Sequence, residues 1–211
     1  MHFHVITLFP ESFDSYLHTS ILKRAILNKK IKVSFYNPID FLKNKERVDD
    51  KPYGGGPGMV LRAEPVIKAI SKAVGKKKDY KIIFFTPAGE LFTNTKAKEY
   101  VDETKHLIFV CGRYEGIDAR VLEVFPSEKV SIGEYVLTGG ELPAMIMIDA
   151  ISRNVKEVLG DIDSVEENRI SSPYVYTRPD TLVYKGKNYK VPEVLVGGNH
   201  KEIDTWRNSQ K

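Results

Sequence analysis

Three short segments hold the residue types best suited to a ligand site. They are Thr86-Pro87-Ala88-Gly89, Gly112-Arg113-Tyr114-Glu115-Gly116 and Gly133-Glu134-Tyr135-Val136-Leu137-Thr138-Gly139-Gly140. Glycine has no Cβ, so main-chain groups there can close on a ligand. A pocket built this way holds its ligand by backbone and leaves the reaction to a few side chains. From 112 to 143 the acids Glu115, Asp118, Glu123, Glu128, Glu134 and Glu141 outnumber the bases Arg113, Arg120 and Lys129. A triphosphate site would need the opposite balance, so the expected ligand is neutral or cationic in its reactive part. Gly-x-Gly-x-x-Gly after the first strand is absent, as is Gly-x-x-x-x-Gly-Lys-[Ser/Thr]. This disfavours a dinucleotide fold of the usual kind and a P-loop NTPase. A fourth segment, Tyr53-Gly54-Gly55-Gly56-Pro57-Gly58-Met59, reads either as a flexible linker or as a loop that orders against a flat aromatic surface such as a base.

These segments need a frame that gathers them. Residues 3–8, 30–36, 80–86, 106–111 and 129–132 read as strands. Residues 10–26, 63–74, 94–104, 117–124 and 143–158 read as helices, with Asn94 as an N-cap and Pro143 in a first turn. Strands alternating with helices predict an α/β fold, a parallel sheet flanked by helices. The three chemical segments then follow successive strands and meet at the carboxyl edge, where such sheets bind ligands. Beyond Gly160 the character changes. Residues 161–172 read as a polar linker. Residues 173–192 form a Pro-rich extended stretch, and a helix follows Asn199 with Ile203 and Trp206 facing inward. The predicted domains are 1–160 and a small, mainly helical 173–211. The second is too short for an independent core and leans on the first domain or on another subunit.

With 42% hydrophobic and 28% charged residues among 211, the chain is not mostly disordered. Its one cysteine, Cys111, allows no intrachain disulfide, which fits a reducing compartment. The start MHFHVITLFP lacks the features of a secretory signal, and no stretch approaches a membrane span. The expectation is a cytoplasmic protein with no membrane association. Net charge is +4. The basic runs Lys29, Lys30, Lys32; Lys43, Lys45, Arg47; and Lys76, Lys77, Lys78 are either solvated ends or a phosphate-binding face.

The segment 53–59, the run 111–118 and above all Ser131-Ile132-Gly133-Glu134-Tyr135-Val136-Leu137-Thr138-Gly139-Gly140-Glu141-Leu142-Pro143-Ala144 closely resemble the bacterial tRNA (guanine-N1-)-methyltransferases, the TrmD family. Val158-Leu159-Gly160, Tyr176-Thr177-Arg178-Pro179 and Gly197-Gly198-Asn199-His200 extend the resemblance over nearly the whole chain.

The resemblance implies a SPOUT-type catalytic domain with a deep trefoil knot within about 80–158. It implies S-adenosylmethionine as methyl donor and N1 of guanine 37, beside the tRNA anticodon, as acceptor. By motif match the donor pocket uses Pro87, Gly112, Tyr114, Glu115, Ile132, Gly133, Glu134, Tyr135, Val136, Leu137, Gly139, Gly140 and Pro143. Tyr53, Gly54, Gly55, Gly56, Pro57, Gly58 and Met59 would meet the substrate. The family acts as homodimers with tRNA held across both subunits, so 173–211 would bind tRNA. Arg153 matches an essential arginine; its bland alternative is an ion pair with Glu157 one turn on. A linker aspartate serves as general base. Counting back from Pro173 places Asp163-Ser164-Val165 on the family's Asp-Ser-Phe, whereas counting forward from Gly160 lands near Asn168, which cannot be a base. The linker is shorter than in relatives, and Lys211 falls short of their basic helical tail. Magnesium is implied to assist, though no ligand set is legible. Two other readings are a catalytically inactive RNA- or nucleotide-binding module and a SPOUT enzyme for another base. The 53–59 loop, characteristic of the TrmD family, argues against the latter.

Overall fold

The computed structural model describes residues 1–43, 46–159 and 174–210. The chain forms two compact units, Met1–Leu159 and Gly160–Lys211.

The first unit contains, in chain order, β1 (His2–Ile6), α1 (Asp14–Leu17), α2 (Ser20–Leu27), β2 (Lys32–Tyr36), the short pair β3 (Asp49–Asp50) and β4 (Val60–Leu61), α3 (Ala63–Val74), β5 (Lys81–Leu91), α4 (Asn94–Glu103), β6 (His106–Val110), α5 (Arg120–Val124), β7 (Glu128–Ser131) and α6 (Glu141–Ser152). Five strands form one sheet in the order β2-β1-β6-β5-β7, every pair parallel. Alternate strand residues face opposite sides. Phe3, Val5, Ile83, Leu107 and Phe109 pack with Phe13, Tyr100, Met147 and Ile148 on one side. Ile6, Ile82, Phe84, Ile108 and Val110 pack with Val66, Ala69, Ile70 and Val121 on the other. Both faces are covered, which is why these strands read as nearly continuous apolar runs.

Several elements depart from the sequence expectation. The helix expected over 10–26 is a 3-10 turn (Pro10–Phe13) followed by α1 and α2, with Thr19 extended at φ −122°, ψ 143°. Phe13 and Leu17 are buried one turn apart, but the next buried residues are Leu22 and Ala25. That five-residue step is out of phase with a single 3.6-residue helix, and the break re-aims the stripe. The expected loop 86–89 lies inside β5. Phe85 and Glu90 both register with Val130 of β7, so the intervening residues bulge out of the ladder. A Cβ on Gly89 would lie 2.6 Å from the main chain of Lys129 and Val130. The cap of α4 is Thr93, whose Oγ1 accepts from Lys96 N at 3.2 Å, rather than Asn94. Helix α6 starts at Glu141 and ends at Ser152; residues 153–158 continue as turns.

In the second unit the expected extended stretch contains an antiparallel hairpin, β8 (Thr181–Tyr184) and β9 (Lys187–Lys190). Lys185 and Gly186 turn it with φ of 50° and 74°, the double positive φ that suits the twist of a two-residue hairpin. Helices α7 (Glu193–Val196) and α8 (His200–Ser209) follow. Asn199 precedes α8, but its side chain donates to Glu202 Oε1 at 2.8 Å instead of capping the backbone. Ile203 is buried, and Trp206 stands with its ring 6.3 Å from that of Tyr176.

Candidate active site

A pocket of about 510 Å³ opens at the carboxyl ends of β5, β6 and β7. The β5 bulge supplies Pro87. The segment after β6 supplies Gly112, Tyr114 and Glu115. The segment after β7 supplies Ile132, Gly133, Tyr135, Val136, Leu137, Gly139 and Gly140, and α6 adds Pro143. Of the expected donor residues, Glu134 alone is not in the wall; it is exposed beside it.

The segments after β6 and β7 are tied together. Gly140 N donates to Gly112 O at 3.0 Å, and Arg113 forms an antiparallel bridge with Gly139. The approach is so close that a Cβ on Gly140 would lie 2.6 Å from Cys111 Cα. Tyr114 sits at φ 58°, a left-handed conformation that is uncommon outside glycine and recurs at functional sites. Tyr114 and Tyr135 are both half exposed at the rim.

A polar triad supports this junction from below. Glu141, the first residue of α6, is buried. Its Oε1 accepts from Thr7 Oγ1 at 2.8 Å, and Arg113 Nη2 lies 3.0 Å from its Oε2. The carboxylate also faces the positive end of its own helix. Arg113 in turn stacks over Phe9 at 4.5 Å from the ring centroid. Burial, reinforced by the Glu141 charge, pushes the Cys111 thiol well above its ordinary value. Cys111 is therefore a core residue and no nucleophile.

The acidic balance expected from the sequence does not describe the pocket. Glu128 begins β7 at the opposite edge, where Lys81 Nζ lies 2.8 Å and Tyr100 Oη 2.7 Å from its carboxylate. Asp118 is paired with Arg120 at 2.6 Å, and Glu141 with Arg113. Glu115 is the one carboxylate among the lining residues, with Arg113 and Lys129 beside it. Neighbours along the chain pointed to different edges of the sheet, so counting them misjudged the field.

The 53–59 segment reaches the rim through Glu115. Glu115 N donates to Met59 O at 3.0 Å, and a Cβ on Gly58 would lie 2.5 Å from the Glu115 side chain. Tyr53 is fully exposed, and Gly54, Gly55, Gly56, Pro57 and Gly58 are exposed. Gly54, Gly55, Gly56 and Gly58 have φ of 84°, 80°, 113° and 85°, which side-chain-bearing residues rarely adopt. Arg153 caps the far end of α6. Glu157, its alternative partner, pairs instead with Lys30. Among the described residues the Arg153 side chain has no ion pair or hydrogen bond. At 1.5 Å per residue it stands about 18 Å along the helix from Glu141. Asp163 and the linker 161–172 lie outside the described residues.

A family model described as tRNA (Guanine-1)-methyltransferase TrmD matches residues 1–211. The chain belongs to this family. Proteins named tRNA (guanine-N(1)-)-methyltransferase are 44% identical in Buchnera aphidicola, covering 99% of this chain and 88% of the relative. The corresponding figures are 44%, 100% and 92% for Clostridioides difficile. For Carboxydothermus hydrogenoformans they are 46%, 98% and 81%. Among the described residues no helix is long and apolar enough to cross a membrane. Within this TrmD chain, Thr7 and the buried placement of Glu141 escaped the sequence reading. Pro143 in a first turn was the available signal, since it puts Glu141 at the head of the helix.

Gly140→Ala is expected to lower both the melting temperature and the affinity for S-adenosylmethionine, the latter at least tenfold by calorimetric titration. Gly112→Ala, whose Cβ would meet only Ile117 at 3.6 Å, is expected to melt near wild type. Thr7→Val keeps the shape but leaves Glu141 Oε1 without its donor. A loss of about 1–3 kcal/mol is expected in urea unfolding.

Proposed function

We propose that this chain transfers a methyl group from S-adenosylmethionine to N1 of guanine 37, next to the tRNA anticodon, as a cytoplasmic homodimer. The observation that carries the reading is the backbone cradle of Gly112, Gly139 and Gly140 at the carboxyl edge of a TrmD-family chain. Its volume, its glycine backbone and the aromatic rim of Tyr114 and Tyr135 suit a ligand with a nucleoside and an amino-acid part. The donor, when bound, supplies a methyl group on a cationic sulfur.

N1 of guanine carries a proton and is a poor nucleophile while it does. Asp163 is assigned to take that proton, and negative charge then builds on O6. The Arg153 guanidinium is assigned to stabilise it. The rest is alignment: the tied loops hold the donor side, and the 53–59 loop orders against the base. Helix α6 separates Arg153 from the pocket of its own chain by most of its length. This supports a site completed by a second copy. Leu142 and Ile146, one turn apart on α6, are exposed, and so is Val136 in the pocket loop. Such apolar surface is what a second copy would cover. Residues 173–211 are assigned to tRNA. Magnesium finds no fitting oxygen ligand set: among the described residues, the cluster of three candidate ligands is all histidine. No step is routed through a metal.

Single-turnover methylation of tRNA transcripts carrying G36-G37, against A37 controls, tests the reading. Label is expected on G37 transcripts only. An inactive binding module would retain tRNA and transfer nothing. Asp163→Asn is expected to slow the step about 10²-fold or more, the scale of a lost general base, with donor affinity unchanged and partial recovery as pH rises. A near-normal rate would remove Asp163 from the mechanism. Mixing inactive Arg153→Ala chains with inactive Asp163→Ala chains is expected to restore activity at one of two sites. Failure to complement would place both residues in one subunit's site, and a monomer in sedimentation would overturn the dimer.

A further inference from the structure

At the amino edge of the sheet, opposite the pocket, three histidines meet. His2 and His4 point to the same side of β1, and His2 registers with His106 at the start of β6. One ring nitrogen from each lies within 4.8 Å of one from each of the others. His4 Nε2 and His106 Nδ1 are 3.2 Å apart. A tetrahedral metal with bonds of about 2.0–2.1 Å sets its ligand nitrogens roughly 3.3 Å apart, so this pair already has the required bite.

We propose that His2, His4 and His106 form a binding site for a divalent transition metal of the zinc class, with solvent as fourth ligand. The outer contacts suit this. His4 Nδ1 lies 3.0 Å from Tyr36 Oη and His2 Nε2 lies 2.9 Å from Ser34 Oγ. Fixing one nitrogen of a ring to an oxygen sets its tautomer and aims the other nitrogen, the usual second contact of a metal-bound imidazole. His4 is buried, while His2 and His106 are partly exposed, leaving an open side for the metal and its water.

The rings are also in the protonation state a metal requires. Burial, then the neighbouring charges, pushes His2 down to about 4 and His4 down to about 3. His106 is lowered by burial and then by Lys77. Near neutral pH the proton between His4 Nε2 and His106 Nδ1 moves by tautomer exchange to the outer nitrogen of its own ring as a metal takes its place, so both rings stay neutral. Lys32, Lys77, Lys105 and the amino terminus act on the cluster, and the Asp79 carboxylate opposes them at His106. These cations oppose a dication and place the expected affinity in the micromolar range. All-imidazole donors suit zinc, copper or nickel and not magnesium. Bound metal would join β1 to β6 across the sheet, far from the methyl-transfer pocket.

The test uses the untagged full-length protein, stripped with a chelator. Zn²⁺ is titrated calorimetrically, Co²⁺ is followed by its visible absorption, and melting is recorded with Zn²⁺ or Mg²⁺. One Zn²⁺ per chain, an intense tetrahedral Co²⁺ spectrum and a melting temperature raised by Zn²⁺ alone are expected. His2→Gln and His106→Gln, at partly exposed positions, are each expected to weaken binding at least tenfold. The double variant His18→Gln/His200→Gln, which removes the two histidines outside the cluster, is expected to bind as wild type. Absence of stoichiometric binding would overturn the site. So would binding unchanged in His2→Gln and His106→Gln, or lost in the His18/His200 variant. The wild-type titration decides the matter even if a single variant fails to fold.

Discussion

The site depends on one close approach, the seating of Gly140 against the backbone of Cys111. With Gly140 N bonded to Gly112 O at 3.0 Å, the segment after β7 is closed onto the end of β6. That closure forms the floor of the pocket and fixes where α6 begins. It also buries Glu141, whose Oε1 accepts from Thr7 and whose Oε2 is ion-paired with Arg113 without a hydrogen bond. A buried carboxylate without partners would be costly. The polar triad and the glycine contact are therefore parts of one junction. Anything that pushes the two segments apart also strips Glu141 of its partners.

Much of the frame was legible because parallel strands leave a strong trace. Phe3 and Val5, or Leu107 and Phe109, are apolar on alternate positions, and Ile108, Val110 and, past His4, Ile6 are apolar on the other face. The glycines marked the carboxyl edge for a physical reason: 140 lies where main chain packs on main chain, and 139 lies hard against the Arg113 and Glu141 side chains. Less legible was anything set by tertiary context. The bulge at 86–89 looks like a loop locally, and only pairing of both its ends with Val130 keeps it in the strand. The break after Leu17 appears only once Leu22 is known to face the same core. Glu128 and Glu134 are close in sequence to the pocket, yet one sits at the opposite edge and the other points to solvent.

The two edges of the sheet carry different chemistry. At the carboxyl edge, main-chain groups and a few aromatic rings build a cavity with a single carboxylate. At the amino edge, side chains from three neighbouring strands, β2, β1 and β6, build a partly exposed imidazole network. Helix α6 spans the distance between them and carries Arg153 from the first edge toward the second, where the adjoining turn meets Lys30 through Glu157. The Arg153 guanidinium therefore stands about 18 Å along α6 from Glu141 at the pocket end.

Amide hydrogen exchange during titration with S-adenosylmethionine tests the backbone cradle most directly, because it reads main-chain groups without altering them. Slowed exchange across 112–117 and 132–140, with 53–59 unchanged until tRNA is added, is the expected result. Protection elsewhere, with 112–117 and 132–140 exchanging as in the free protein, would contradict a donor site built on these loops.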